Sequence, residues 1–84
     1  MFLARVYVTL KPTVNDPQGK TILGGLKALG FDLASDVRAG KYLEIKLDGD
    51  ERARVEAEVE RMCSKLLANP VIESYRYDVE EIAE

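Results

Sequence analysis

The sequence predicts an α+β domain, a ferredoxin-like two-layer sandwich. Two helices should pack on one face of an antiparallel or mixed sheet of three to four strands. Three observations carry this. Residues 2–10 are a short apolar run rich in β-branched and aromatic side chains. Two helical stripes, near 17–29 and 51–68, begin at acidic capping signals and stop at glycine or proline. Segments 43–47 and 71–79 alternate apolar with polar residues, as half-buried strands do. The order is strand, helix, one or two strands, helix, strand.

Phe2 to Leu10 is interrupted only by Arg5 and Thr9 and reads as a central strand. Lys11 to Asn15 is a loop, because Pro12 cannot donate to a ladder and Asn15 favours a turn. Asp16 caps the first helix, and Pro17 takes the first helical position, where its missing N–H costs nothing. Ile22, Leu26 and Leu29 form the apolar stripe, widened by Leu23. Gly30 is placed to end the helix in the left-handed conformation. Gly24 and Gly25 lie mid-helix, where each costs roughly 1 kcal/mol against alanine. Close approach of another backbone is the simplest compensation.

Leu43, Ile45 and Leu47 alternate with Glu44 and Lys46, so that strand has one buried and one wet face. Ser35 to Arg38 reads as a second extended piece. Gly40 is then either part of a tight hairpin turn or a bulge in one long bent strand. Asp48-Gly49-Asp50 is a turn ending in a helix cap. The second helix follows to Ala68, burying Val55, Val59, Met62 and Leu66 with Cys63 and Leu67 beside them. Asn69-Pro70 stops it, and Val71, Tyr75, Tyr77 and Val79 share one face of a final strand. With both helices on one side, the other sheet face is left uncovered. It carries Tyr7, Tyr42 and Leu3 and is open to self-association or a partner.

Eighty-four residues suit a single domain, 1–84, with a core small enough to benefit from an oligomer. One cysteine and no histidine exclude an intrachain disulfide and any Ser-His-Asp or Cys-His unit, and leave no basis for a zinc site. Twelve basic against fifteen acidic residues, net −3, argue against a nucleic-acid or anionic-membrane surface. The N-terminal residues lack a signal-peptide pattern and no apolar run reaches membrane length, so a cytoplasmic chain is expected.

The chemistry-bearing residues form no active constellation. Gly19, Gly24, Gly25 and Gly30 make neither a Walker loop nor GxGxxG. Glu56/Glu60 and Asp48/Asp50 fit a solvated helix face and a turn rather than general acid–base chemistry. Cys63, on the apolar stripe, reads as a small buried hydrophobe. No catalytic, cofactor-binding or metal-binding residue is assigned.

Several segments together resemble the PurS-type small subunit of phosphoribosylformylglycinamidine synthase. They are Val6-Tyr7-Val8-Thr9-Leu10-Lys11, Asp16-Pro17-Gln18-Gly19, Leu29-Gly30-Phe31, Asp36-Val37-Arg38-Ala39-Gly40-Lys41 and Asn69-Pro70-Val71-Ile72-Glu73. Ala39 stands where the family pattern more often has valine. The resemblance implies a purine-biosynthetic ligase that converts formylglycinamide ribonucleotide to formylglycinamidine ribonucleotide, using ATP and Mg2+ in a large synthetase subunit and ammonia from a glutaminase subunit. The small subunit would join those two, assist ammonia transfer, form a homodimer or tetramer, and hold no catalytic residue. Tyr7, Arg38, Tyr42, Tyr75 and Arg76 are the candidate partner anchors, since aromatic and arginine side chains dominate interface energies. The alternative is a ferredoxin-like regulatory module binding an amino acid at a dimer interface, with Gly24, Gly25 and Gly30 lining the site.

Overall fold

A computed structural model describes residues 1–83. Strand β1 spans Phe2–Leu10, helix α1 Pro17–Ala28, strand β2 Gly40–Leu47, helix α2 Arg52–Met62 and strand β3 Glu73–Glu81. The fold is α+β, and the sheet is three-stranded and wholly antiparallel in the order β2-β1-β3. The apolar first strand takes the centre, as its composition predicts. Its alternate residues Phe2, Ala4, Val6 and Val8 are buried. Register sets Ala4 and Val6 beside Ile45 and Leu43 on β2, and beside Val79 and Tyr77 on β3.

Helix α2 lies against this face. Val55, Val59 and Cys63 join Phe2, Ala4, Val6, Val8, Leu47 and Ala68 in one core. The helix does not run on to Ala68 as an α-helix. Cys63–Leu67 form a π-helical turn. A π turn accommodates one extra residue, so the stripe after Cys63 shifts. Leu67 packs against the core and Ala68 is buried, whereas Leu66, expected inside, is 83% exposed. The N-terminal cap also differs from expectation. Glu51 occupies that position and makes no side-chain capping bond, so the Asp48–Asp50 turn supplies none. Strand β3 begins at Glu73, because Asn69 organises a turn first: its Oδ1 accepts from the Val71 amide at 3.0 Å. Val71 is therefore exposed rather than on the strand's inner face.

Helix α1 begins and ends as its sequence predicts. Gly30 has φ +93°, and the Phe31 and Gly30 amides reach the Leu26 and Lys27 carbonyls at 3.0 Å each, a Schellman closure. Its packing differs from a helix laid flat on the sheet. Gly19 is the only buried residue of α1, while Ile22 and Leu29 are exposed and Leu23 and Leu26 half-buried. The chain is consequently elongated, 50 × 29 × 14 Å with a radius of gyration of 16.5 Å. A compact chain of this length would have about 12 Å.

Residues 35–38 form no strand. Gly40 is neither a hairpin turn nor a bulge. It is the first residue of β2, opposite Thr9, and a Cβ there would collide with the Val8 carbonyl oxygen. Glycine is required by that close approach.

Candidate functional site

Two polar devices shape the end of the sheet where β1 stops and β2 begins. The first is Asp16, a buried carboxylate. Its Oδ1 accepts from the Gly19 amide at 2.9 Å, capping α1. Its Oδ2 accepts from the Ala39 amide at 2.7 Å, tying the approach to β2 onto the helix start. These two amides, Gly19 first, hold the Asp16 carboxyl below the ordinary carboxylate range. Gly19 is needed because a Cβ would run into the Val37 carbonyl. The second device is Arg38, whose Nη2 donates to the carbonyls of Lys11 at 2.9 Å and Val14 at 2.8 Å. It pins the β1–α1 loop.

The sheet face away from α2 is uncovered, and Leu3, Tyr7 and Tyr42 stand on it as expected. It is more polar than a core face. Arg5 bridges to Asp78 and Glu80 at 3.2 and 3.4 Å. The Tyr7 and Tyr42 rings lie with centroids 5.1 Å apart, tilted by 38°. The Arg76 guanidinium sits 3.8 Å from the Tyr7 centroid, a stacked cation–π pair. The Tyr42 hydroxyl donates to Glu44 at 2.8 Å, and this bond raises its pKa.

An open groove of about 390 Å³ runs past Tyr7, Tyr42, Tyr75 and Arg76, with Thr9, Gly40, Lys41 and Ser74. Arg38 borders a neighbouring recess that shares Thr9 and Ser74. Four of the five candidate anchors thus meet at one groove and the fifth adjoins it. They are not equivalent. Tyr7, Tyr42 and Arg76 form the stacked cluster on the open face. Tyr75 leaves the sheet on the α2 side and donates its hydroxyl to Glu60 at 2.9 Å, which raises its pKa. Arg38 directs its guanidinium to the loop carbonyls.

This site is built from stacked rings and charged side chains. Cys63 is fully buried, and desolvation first, then Glu60, pushes its thiol pKa up, so the nucleophilic thiolate is disfavoured. No group of three metal-ligating side chains occurs among the described residues. Gly24, Gly25 and Gly30 face open space, where a side chain would meet no neighbouring atom within 4 Å of its Cβ, so no close backbone approach compensates for the two mid-helix glycines. The sequence reading missed the Asp16–Ala39 bond, the Arg5 bridge and the π turn. The first two join residues far apart in sequence and leave no local signal.

The site is thus an aromatic–arginine cluster on the open sheet face of a small α+β fold. The family model described as PurS, phosphoribosylformylglycinamidine (FGAM) synthase, matches residues 3–81. The phosphoribosylformylglycinamidine synthase subunit PurS of Bacillus subtilis (strain 168) is 45% identical, over 98% of this chain and 96% of that protein. The crystal structure of Methanocaldococcus jannaschii PurS, described as one of the subunits of formylglycinamide ribonucleotide amidotransferase, superposes with a TM-score of 0.88 at 42% identity. That match covers 99% of this chain and 100% of the other. A chain of the Thermotoga maritima PurLQS structure gives 0.84 at 25% identity, covering 95% and 99%. This chain belongs to the PurS family of phosphoribosylformylglycinamidine synthase subunits.

Proposed function

We infer that this chain is the non-catalytic small subunit of the synthase and acts by geometry. It bridges the glutaminase and the ATP-dependent synthetase subunits as a homodimer or higher assembly. One observation carries the reading: the chain exposes an aromatic–arginine cluster and apolar surface that nothing within it covers. The Tyr7–Tyr42–Arg76 cluster has the composition of an interface hot spot. The apolar stripe of α1, with Ile22 42% and Leu29 76% exposed, lacks cover within the chain. The accessible surface is 6059 Å², against about 5,000 Å² for a compact monomer of this mass. The PurLQS structure supports the partner assignment, because a PurS-like chain occurs there in a structure named for three components.

The contribution of such a subunit is register. Ammonia released at one active site must reach the other without protonation or escape, and a water-restricted path between fixed sites achieves that. ATP and Mg2+ act in the synthetase subunit; among the described residues of this chain no group of three metal-ligating side chains occurs. The complex works in the cytoplasm, and no helix of this chain is long and apolar enough to cross a membrane among the described residues. Of the five anchors, Tyr7, Tyr42 and Arg76 carry the contact, and Arg38 and Tyr75 shape the groove around it.

Size-exclusion chromatography of the three purified subunits with glutamine and Mg-ADP tests this. A ternary complex should form only when this chain is present. Arg76→Ala, at an exposed position of the open sheet face, should weaken it by at least about tenfold while nearly keeping the melting temperature of the isolated chain, and Tyr7→Ala, at a half-buried position of the same cluster, should weaken it as much with some loss of stability. Unaltered assembly in both variants contradicts the anchor assignment.

A further inference from the structure

The open sheet face drops to a floor where β2 begins. Gly40 stands opposite Thr9, and Thr9 opposite Ser74, so three small residues cross the sheet side by side. Two residues along, Tyr42, Tyr7 and Arg76 form the next row and rise above them. The step between the rows shapes the groove of about 390 Å³. A recess of about 440 Å³ continues it past Thr9 and Ser74 to Arg38. Thr9 and Ser74 are exposed, and neither hydroxyl enters a hydrogen bond among the described residues. Arg76 borders the floor on one side and Arg38 on the other. Neither pairs with a carboxylate among the described residues. Both Arg38 bonds to the loop carbonyls use Nη2, which leaves Nη1 and Nε as donors. Asp36 is the one acid lining groove or recess, and its Oδ1 accepts from the Val37 amide at 3.0 Å. Lys41 turns its ammonium away, to the Leu67 carbonyl on the α2 side at 3.4 Å.

These parts sort into two seats. Two guanidiniums and two hydroxyls offer more donors than the two oxygens of a carboxylate accept, and a phosphate monoester with three oxygens suits them. Tyr42, 50% exposed and tilted against Tyr7, makes with the outer face of the Arg76 guanidinium a stacking seat for a planar ring. The seats lie two residues apart along the strands, about 7 Å. A sugar spans that distance between a base and its 5′-phosphate. We propose that this groove binds a nucleoside monophosphate, with its phosphate over Thr9 and Ser74 between Arg38 and Arg76 and its base against Tyr42. A single phosphate seat on a chain of net charge −3 does not suit a polynucleotide, which needs a basic track. The site goes beyond the bridging role but shares Tyr42 and Arg76 with the docking cluster, so its occupancy is read on the free chain.

Calorimetric titration of the isolated full chain with AMP, adenosine, ribose 5-phosphate and inorganic phosphate decides it. AMP should bind with a Kd of about 0.1 mM, as suits an open site. The other three each lack the ring or the phosphate and should bind at least about tenfold more weakly. Ser74→Asp sets a carboxylate under the phosphate, and Arg76→Gln removes one guanidinium. Each should weaken AMP binding at least about tenfold. Both positions are exposed, and circular dichroism checks folding. No saturable heat from AMP at millimolar concentration, any of the three smaller compounds binding as tightly as AMP, or either variant binding like the parent overturns the proposal. No partner subunit enters this titration, so its failure leaves the bridging role standing, and the ternary-complex chromatography tests that role separately.

Discussion

Among the described residues, Asp16 is the one buried polar side chain. It links the first turn of α1 to the residue preceding β2 through two backbone amides on opposite oxygens. Its folded-state pKa is lowered, so its contribution is full above the ordinary aspartate value of about 3.9 and is lost as pH falls through the lower folded value. Urea titrations below pH 5 should show that loss. Asp16→Asn, which keeps a cap but cannot accept both amides, should start less stable at neutral pH and lose less on acidification. Asp16→Ala removes both bonds and should lower the melting temperature by about 5 °C or more. A melting curve matching the parent would show that the 36–39 segment is held by other means. The cap was legible in the sequence, since Asp16-Pro17 is a local signal. Its second bond was not, because Ala39 lies twenty-three positions away.

Among the elements, α2 carries the core and α1 does not. Val59, with no exposure, faces the centre of the sheet. Val59→Ala should cost about 2 kcal/mol by urea denaturation. Leu66→Ala should stay within about 0.5 kcal/mol, although both residues fall on one helical stripe in the sequence. The contrast measures the π turn directly, and equal losses would place Leu66 in the core. The capping signal at Asp16-Pro17 found the start of α1, and periodicity found the strands at 2–10 and 43–47. It missed the turn at 63–67 because a one-residue insertion in the bonding pattern leaves the composition unchanged. It also set 35–38 as extended structure, where the backbone amide of Ala39 is instead claimed by Asp16.

For the whole molecule, the elongated shape and the surplus surface are properties of a part rather than of a finished particle. Nine of the described residues form its core, and the apolar stripe of α1 and the open sheet face have no cover within the chain. The candidate site was legible in kind: aromatic and arginine residues were named from composition and from family resemblance, and four of them border one groove. Which of them stack and which turn inward required three dimensions, because Tyr75 and Arg76 are neighbours in sequence yet leave opposite faces of β3. A subunit of this sort should govern transfer between active sites and leave the chemistry at each intact. The most direct test compares amidation by the synthetase and glutaminase subunits with glutamine and with free ammonia, before and after adding this chain. Glutamine-dependent turnover should rise by at least about tenfold on addition, while ammonia-dependent turnover stays level. Equal glutamine-dependent rates with and without the chain would contradict a bridging role.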